Sequence, residues 1–263
     1  MKKNFITLTL AVSTIFLLAL NANALPTQVI DLGDTTIEEV NTGYTGDYRR
    51  ENLGYWFDEN GITNTDGTAI DPVADQLQYE LFYTDTTREY EVEFLGIGYA
   101  AYKSPFGVFS YTGDPLNYDS SDMTFDDPLF VQNRVEANTT YNFTVEAGSY
   151  FGFYVNSNGS GKMLTTMVAA NPDASSGRVN NKEQYTSGLD HALFYETNKG
   201  YTISFEDIVG GGDADYEDLV VNFSPTDDSG FVGGGVPTPE PATIFLLGLG
   251  LIGIAAIGRR KLR

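Results

Sequence analysis

The sequence predicts an all-β fold, a β-sandwich of jelly-roll-like type, placed between an N-terminal signal peptide and a C-terminal transmembrane helix. Short runs rich in β-branched and aromatic residues recur between clusters of Gly, Asn, Asp and Pro, as in strands joined by turns. In residues 141–145, Tyr, Phe and Val alternate with Asn and Thr, which predicts a strand with one apolar face. Signals for helices are weak, so the repeated strand pattern favours a sandwich.

The predicted strands divide the central part of the chain. In order, they are residues 79–83, 90–102, 107–111, 129–135, 141–145, 150–155, 163–168, 192–195, 201–205 and 219–223. Residues 31–71 show no clear period, and we assign them no regular structure. The predicted organisation is a β region at 25–129, separate or part of the same sandwich, a sandwich domain at 130–223, and a flexible spacer rich in Asp, Ser, Gly and Pro at 224–236.

The N-terminal 24 residues have the pattern of a secretion signal. Lys2 and Lys3 precede an apolar run at 5–20, and the small residues Ala22 and Ala24 flank Asn23. This pattern predicts removal of residues 1–24 by signal peptidase. The alternative is an uncleaved N-terminal anchor.

The other end of the chain carries an apolar segment followed by basic residues. Residues 242–257 contain no charge, although they fall short of the roughly 20 residues of a typical spanning helix. The basic residues that follow are Arg259, Arg260, Lys261 and Arg263. Positive residues beside a span stay in the cytoplasm, so the body of the protein is expected outside it.

The tripeptide Pro239-Glu240-Pro241 stands directly before this segment. Together the tripeptide, the span and the basic cluster, at 237–263, resemble the PEP-CTERM sorting signal of Gram-negative bacteria. The resemblance implies anchoring in the inner membrane, cleavage near the tripeptide by the membrane protease exosortase, and a final location at the cell surface or outside the cell. It also implies an exopolysaccharide partner, because such signals are associated with biofilm-forming bacteria. The alternative is an ordinary tail anchor.

The composition is strongly acidic and free of cysteine. Asp and Glu number 36 against 15 Lys and Arg, for a net charge of -21, and six of the basic residues lie in the two terminal segments. Such a field repels nucleic acid, which we exclude as a partner, and attracts divalent cations. Without cysteine there are no disulfides, so stability must come from core packing and metal ions.

Six carboxylates lie in one predicted loop between the strands at 201–205 and 219–223. They are Glu206, Asp207, Asp213, Asp215, Glu217 and Asp218. The spacing of Asp213, Asp215 and Glu217 lets a looping backbone present all three to one side, after a turn that glycines 210–212 permit. Like charges this close repel unless a cation lies between them. Calcium (Ca²⁺) fits best, because it takes about six to eight oxygen ligands and is abundant outside cells, whereas magnesium demands stricter geometry.

The loop resembles the signature of a β domain of bacterial exported proteins, domain of unknown function 4114. The matching residues are Phe205, Glu206, Asp207, Gly210, Gly211, Gly212, Asp213, Asp215, Tyr216 and Asp218. Glu217 stands where the family usually has Asn, and similar pieces at 150–154 and 191–195 extend the resemblance over about 130–223. We hypothesise that Asp213, Asp215 and Asp218 bind calcium, that Glu206 or Asp207 completes the shell, and that Glu217 is optional. The alternative is a solvated turn that aids solubility.

The sequence favours no enzymatic chemistry. His191 is the single histidine, no Gly-x-Ser-x-Gly elbow occurs, and one His cannot build a zinc site. We expect His191 to be structural. The sequence thus predicts a secreted, surface-sorted, calcium-binding structural or adhesive protein of the envelope or matrix. The alternative is a carbohydrate-binding module that uses Trp56 and exposed tyrosines, or, less favoured, a glycoside hydrolase.

Overall fold

The computed structural model describes residues 27–32, 40, 52–98, 102–172, 190–210, 212–227 and, for the backbone alone, 231–235. Within these residues the chain forms one α-helix and thirteen strands arranged in two sheets. The two sheets confirm the predicted β-rich fold, while the jelly-roll-like topology stays a prediction.

The larger sheet, sheet A, has eight strands in the described part of the chain. They are β1 (Thr27–Asp31), β2 (Leu81–Thr84), β4 (Pro105–Tyr111), β5 (Met123–Phe125), β6 (Phe130–Val131), β8 (Ser149–Asn156), β9 (Met163–Thr165) and β13 (Phe231–Gly235). The main strand order is β13-β1-β2-β8-β4-β5, with β6 paired to β4 and β9 to β8. All pairs are antiparallel except β1 with β13, which is parallel.

The smaller sheet, sheet B, has five antiparallel strands in the same described residues. They are β3 (Arg88–Gly96), β7 (Thr139–Val145), β10 (Ala192–Thr197), β11 (Gly200–Phe205) and β12 (Leu219–Pro225). Their order is β10-β11-β12-β3-β7. Along β7 the predicted alternation is observed, because Thr140, Asn142 and Thr144 are exposed while the residues between them face the core.

An aromatic core lies between the two sheets. Phe82 of sheet A and Phe223 of sheet B have ring centroids 4.8 Å apart, and Tyr90 of sheet B lies 4.9 Å from Phe151 of sheet A. All four rings are fully buried. Aromatic pairs at such distances add to the stabilisation from burial, so these rings hold the sheets face to face as a sandwich.

The outer face of sheet B is covered by α1 (Leu53–Glu59), which the sequence did not predict. The Asn52 side chain caps this helix by accepting a hydrogen bond from Tyr55 N at 3.2 Å. Leu53, Trp56 and Phe57 form its buried face, and they join a second core cluster with residues on the outward side of β3, β10 and β12. A regular element therefore lies within 31–71, where the sequence pattern indicated none.

Two of the predicted strands need the largest corrections at their ends. The predicted strand at 90–102 ends as β3 at Gly96, and beyond it the Gly98 N–H donates to Glu217 O at 2.7 Å, before β12 begins. The predicted strand at 129–135 shortens to β6 at Phe130–Val131. In both cases the apolar residues continue beyond the point where the backbone stops pairing.

The early and late parts of the described chain share both sheets. β2 pairs with β8, and β3 lies between β12 and β7, so residues before 130 supply central strands of the sandwich. The spacer predicted at 224–236 also needs correction, since residues 231–235 form β13 beside β1. Backbone pairing requires no particular side chains, which is why a glycine-rich strand escaped sequence analysis.

The predicted signal peptide at 1–24 and the sorting segment at 237–263 lie outside the described residues. Among the residues that are described, none forms a helix long and apolar enough to cross a membrane.

Candidate metal centre

The acidic loop connects two paired strands at one end of sheet B. β11 ends at Phe205, which pairs with Leu219 at the start of β12, and residues 206–218 bridge them. The first residue of the loop is held in place, because Glu206 N donates to His191 O at 3.0 Å. The buried His191 ring also lies against the same segment, with Nδ1 3.1 Å from Glu206 O. These contacts fit the structural role expected for His191.

Three carboxylates form the inner part of the site. One oxygen each from Glu206, Asp207 and Asp218 lies within 4.8 Å of the others. We call these residues the inner trio; their exposed fractions are 0%, 1% and 8%. Asp207 N donates to Asp218 Oδ2 at 3.0 Å, so the two ends of the loop are joined directly at the site.

The other three predicted residues extend the inner trio outward. Asp213 and Asp215 share a second group with Glu206, and Asp215 and Glu217 share a third with Asp218. Asp213 is exposed, whereas Asp215 and Glu217 are buried. All six residues singled out in the sequence thus lie together, and we call them the acidic cluster.

The alternation along 213–217 follows the predicted pattern. While the carboxylates at odd positions join the acidic cluster, Ala214 and Tyr216 pack into the core cluster beneath α1. Both have left-handed backbones, with φ of 61° and 56°. Residues other than glycine adopt this conformation at a cost, and such strain persists only where surrounding contacts enforce it.

The loop closes around the Glu206 carboxylate. Glu206 Oε2 accepts a hydrogen bond from Ala214 N at 3.1 Å, and Oε1 accepts one from Ile208 N at 3.3 Å. Gly212 packs so closely that a Cβ there would collide with this carboxylate, and its φ is +42°. Glycine is therefore required at 212 both for space and for backbone conformation.

Two residues far away in sequence hold Asp207. Ser104 Oγ donates to Asp207 Oδ2 at 2.9 Å, and Gln132 Nε2 donates to the same oxygen at 2.5 Å. Both side chains are fully buried. No sequence pattern indicated these two residues, because they lie 103 and 75 positions from Asp207.

The electrostatics of the inner trio oppose ionisation. Burial, followed by the charges of Asp218 and Asp215, raises the pKa of Glu206 well above its ordinary value. Burial and the charge of Asp207 likewise raise the pKa of Asp218 well above its usual range. The pKa of Asp207 is also raised, chiefly by burial, although the hydrogen bonds from Ser104 and Gln132 act to lower it.

No basic side chain in the described part of the chain forms an ion pair with the inner trio. Elsewhere in the described residues, Arg88 Nε forms an ion pair with Asp227 Oδ2 at 3.4 Å. Asp207 Oδ1 also has no hydrogen-bond partner among the described residues. Buried carboxylates with this chemistry become compatible with ionisation when a divalent cation replaces the missing positive charge.

Two family models match the chain. The domain of unknown function DUF4114 matches residues 145–226, and the PEP-CTERM protein-sorting motif matches residues 237–261. The chain carries a PEP-CTERM sorting motif behind a DUF4114 segment. Comparisons with curated proteins and with solved structures found no match. The PEP-CTERM motif indicates an exported protein that is anchored in the membrane for sorting and then processed by exosortase.

The DUF4114 segment contains the whole acidic cluster but only part of its surroundings. It begins at 145, later than the 130 expected from sequence, and ends one residue before Asp227. Ser104 and Gln132 therefore hold Asp207 from outside the DUF4114 segment. Gly98 also lies outside it, and a Cβ there would collide with the Glu217 carboxylate. The acidic cluster is thus enclosed by parts of the chain that the family model does not reach.

Proposed function

We propose that this is an exported, surface-sorted structural or adhesive protein of the bacterial envelope or exopolysaccharide matrix, stabilised by calcium and without enzymatic activity. Export and exosortase processing follow from the PEP-CTERM motif at 237–261. Calcium binding is supported by the acidic cluster at the end of sheet B. The matrix role is supported by the acidic, cysteine-free composition together with the sorting motif.

The single observation that carries the calcium proposal is the inner trio. Glu206, Asp207 and Asp218 are buried within 4.8 Å of one another, and no basic side chain of the described residues pairs with them. Removing one charged carboxylate from water is unfavourable, and gathering three is more so. A cation with several oxygen ligands would compensate these charges, and its binding energy would stabilise the fold.

Calcium fits this donor set better than other biological metals. The donors are carboxylates, which suit hard cations, and no soft-metal ligand belongs to the cluster. Of the two common hard cations, calcium tolerates irregular shells, whereas magnesium keeps a strict octahedron and several waters. The proposed ligands are Glu206, Asp207 and Asp218, with Asp213 and Asp215 as outer ligands and Glu217 as an optional one.

A thermal melt of the purified protein with calcium, with magnesium and with chelator tests the proposal. A ligand that binds only the folded state stabilises it by about 2.7 kcal/mol at roughly 100 times its Kd. We expect a large rise in Tm with calcium and a much smaller one with magnesium. Equal Tm values in calcium and in chelator would contradict the proposal. They would indicate that the carboxyls of the acidic cluster are protonated or solvated and do not bind calcium.

Matched substitutions separate specific binding from general charge effects. Asp207→Asn is expected to abolish most of the calcium-dependent rise in Tm, because it removes an anionic ligand while keeping the side-chain shape. Asp85→Asn removes the same charge from an exposed turn and is expected to leave the rise intact. A similar loss in both variants would point to nonspecific attraction by the acidic surface.

The matrix role can be tested separately from calcium binding. Purified protein should bind the exopolysaccharide of the producing bacterium, and chelator should weaken this binding. Release of reducing sugar during the incubation would instead favour a glycoside hydrolase and contradict the non-enzymatic proposal.

The second candidate function is a carbohydrate-binding module, which one pocket favours. This pocket has a volume of about 270 Å³ and is lined by Tyr55, Trp56, Glu59, Asn60, Ile97 and Gly98. Gly98 connects it to the acidic cluster through its hydrogen bond to Glu217 O. Trp56 is only 6% exposed, so Tyr55 would be the better stacking surface for a sugar ring. Loss of polysaccharide binding in Tyr55→Ala would support this candidate.

A further inference from the structure

Gln132 and Asp207 are joined by a hydrogen bond, and each keeps one further buried side-chain oxygen that has no hydrogen-bond partner among the described residues. Gln132 Nε2 donates to Asp207 Oδ2 at 2.5 Å. The remaining side-chain oxygens, Gln132 Oε1 and Asp207 Oδ1, have no hydrogen-bond partner within the described residues. Gln132 is 0% exposed and Asp207 is 1% exposed. Buried oxygens normally have partners, so two of them on adjacent side chains point to a ligand that both can bind.

The orientation of the Gln132 amide is defined by its neighbours. Nε2 donates to Tyr102 O at 3.1 Å in addition to Asp207 Oδ2. Rotating the amide by half a turn would place Oε1 against a carbonyl and a carboxylate, which are both acceptors. The oxygen is therefore the amide atom that lacks a partner.

We propose that Gln132 Oε1 and Asp207 Oδ1 bind the same divalent cation as Glu206 and Asp218. This inference rests on the proposed calcium site and adds a neutral ligand to it. Calcium readily accepts amide carbonyl oxygens, and its large shell has room for them beside carboxylates. Gln132 lies outside the DUF4114 segment, so the proposed ligands come both from that segment and from the chain before it.

Such a ligand would make the cation a link between the two sheets. Gln132 directly follows β6 of sheet A, and its N–H donates to Ser104 O at 3.1 Å. Ser104 Oγ in turn contacts Asp207 and accepts a hydrogen bond from Asn158 N at 2.9 Å, just after β8. A cation held by Gln132 and by the loop after β11 would thus fasten this end of sheet A to sheet B.

Two substitutions of Gln132 distinguish an oxygen ligand from a hydrogen-bond donor. Gln132→Met keeps the length of the side chain but removes both polar atoms, whereas Gln132→Glu keeps an oxygen and removes the N–H donor. We expect Gln132→Met to weaken calcium affinity about 10- to 100-fold. We expect Gln132→Glu to lose clearly less calcium affinity than Gln132→Met, because it keeps an oxygen at the ligand position although its second oxygen faces Tyr102 O and Asp207. Affinity is measured by competition with a fluorescent chelator, on purified protein whose folding in calcium is checked by circular dichroism.

Asn133→Gly is the matched control. It removes a neighbouring side chain that also donates to Tyr102 O, keeps the left-handed backbone at 133, and leaves Gln132 in place. Its calcium affinity should equal that of wild type. If Gln132→Glu loses as much affinity as Gln132→Met, the amide acts through its N–H and the assignment is overturned. If both variants bind as wild type does, the assignment also fails, whereas a wild-type protein without calcium affinity would refute the proposed function itself.

Hydrogen exchange of the wild-type protein tests the same inference without any variant. Calcium should slow hydrogen exchange at the Asn158 and Gln132 amides, which both bond to Ser104, because the cation holds this segment against the loop. Slowing confined to residues 206–218 would show that the cation does not reach Gln132 and would overturn the inference.

Discussion

The Tyr216 hydroxyl donates a hydrogen bond to the backbone oxygen of Asp190 at 2.9 Å, although the Tyr216 backbone is left-handed. The ring is 1% exposed and packs in the cluster beneath α1. This contact joins the middle of the acidic loop to Asp190, which lies two residues before the start of β10. The strained backbone at 216 is therefore held by a buried ring and a hydrogen bond at its tip.

Tyr216→Phe should lower the free energy of unfolding by about 1 kcal/mol, because it removes this hydrogen bond and leaves the ring in place. Urea denaturation in excess calcium measures the change. Tyr83→Phe is the control, since no hydrogen bond of the Tyr83 hydroxyl is seen within the described residues and its ring packs against Tyr150. Equal losses in the two variants would mean that the contact with Asp190 contributes nothing.

Without calcium, the stability of the protein should fall as pH rises. The folded-state pKa values of Glu206 and Asp218 are raised, so the folded protein binds more protons than the unfolded chain above the ordinary carboxyl pKa. The stabilisation that protonation provides is complete at low pH and is lost as pH rises through the folded-state pKa values. In chelator, the free energy of unfolding should therefore fall as pH rises above the ordinary carboxyl range.

Calcium should remove this fall, because the cation stabilises the ionised carboxylates. Denaturation series at several pH values, with calcium and with chelator, measure both slopes. Glu206→Gln supplies the control, since a neutral amide at 206 should make the fall in chelator shallower and leave the part that Asp218 contributes. A chelator series that rises with pH would contradict the raised pKa values.

Gly212→Ala should destabilise the protein and weaken calcium binding together. The new Cβ would collide with the Glu206 carboxylate in a backbone that has φ of +42°. Gly148→Ala is a matched control, because Gly148 has φ of +77° and, in the described structure, a Cβ there meets no atom within 4 Å. The control should lose about 1 kcal/mol from backbone strain alone.

Gly212→Ala should lose more stability than the control, and only this variant should lose calcium affinity. Thermal melts and calcium titrations of both variants make the comparison. Identical behaviour would show that space beside Glu206 is not limiting.

Phe82→Ala should cost about 3–5 kcal/mol, as expected for a ring removed from a close-packed core. Phe82 contacts Phe151 and Phe153 within its own sheet, and Phe194 and Phe223 across the core. Phe125→Ala removes the same ring from a position that is 38% exposed and should cost much less. Urea denaturation of both variants measures the difference, and comparable losses would argue against a core centred on Phe82.

The alternation of apolar and polar residues made much of the sandwich predictable from sequence. Alternation at 141–145 marked β7, and the spacing of Asp213, Asp215 and Glu217 anticipated the gathering of the acidic cluster. These features are local, so neighbouring residues carry the information. The α1 helix also left a local signal, in the Asn52 cap and the spacing of Leu53, Trp56 and Phe57, but its seven residues are too short for a strong period.

The remaining features depend on contacts that a linear pattern does not contain. Ser104 and Gln132 meet Asp207 only because β4 and β6 bring their ends to the loop after β11. β13 pairs through backbone atoms, and its sequence Phe-Val-Gly-Gly-Gly reads as a linker. Tertiary pairing therefore overrides composition at 231–235.

The parallel pairing of β1 with β13 places strands from opposite ends of the described chain side by side, with Thr27 opposite Phe231 and Asp31 opposite Gly235. β13 ends two residues before the matched sorting motif begins at 237. Without residues 231–235, the edge of β1 opposite β2 would be open to pairing with other strands. Sheet A is therefore complete only when these residues are paired, and a single residue of the sequence, Val236, separates its last strand from the motif that directs sorting.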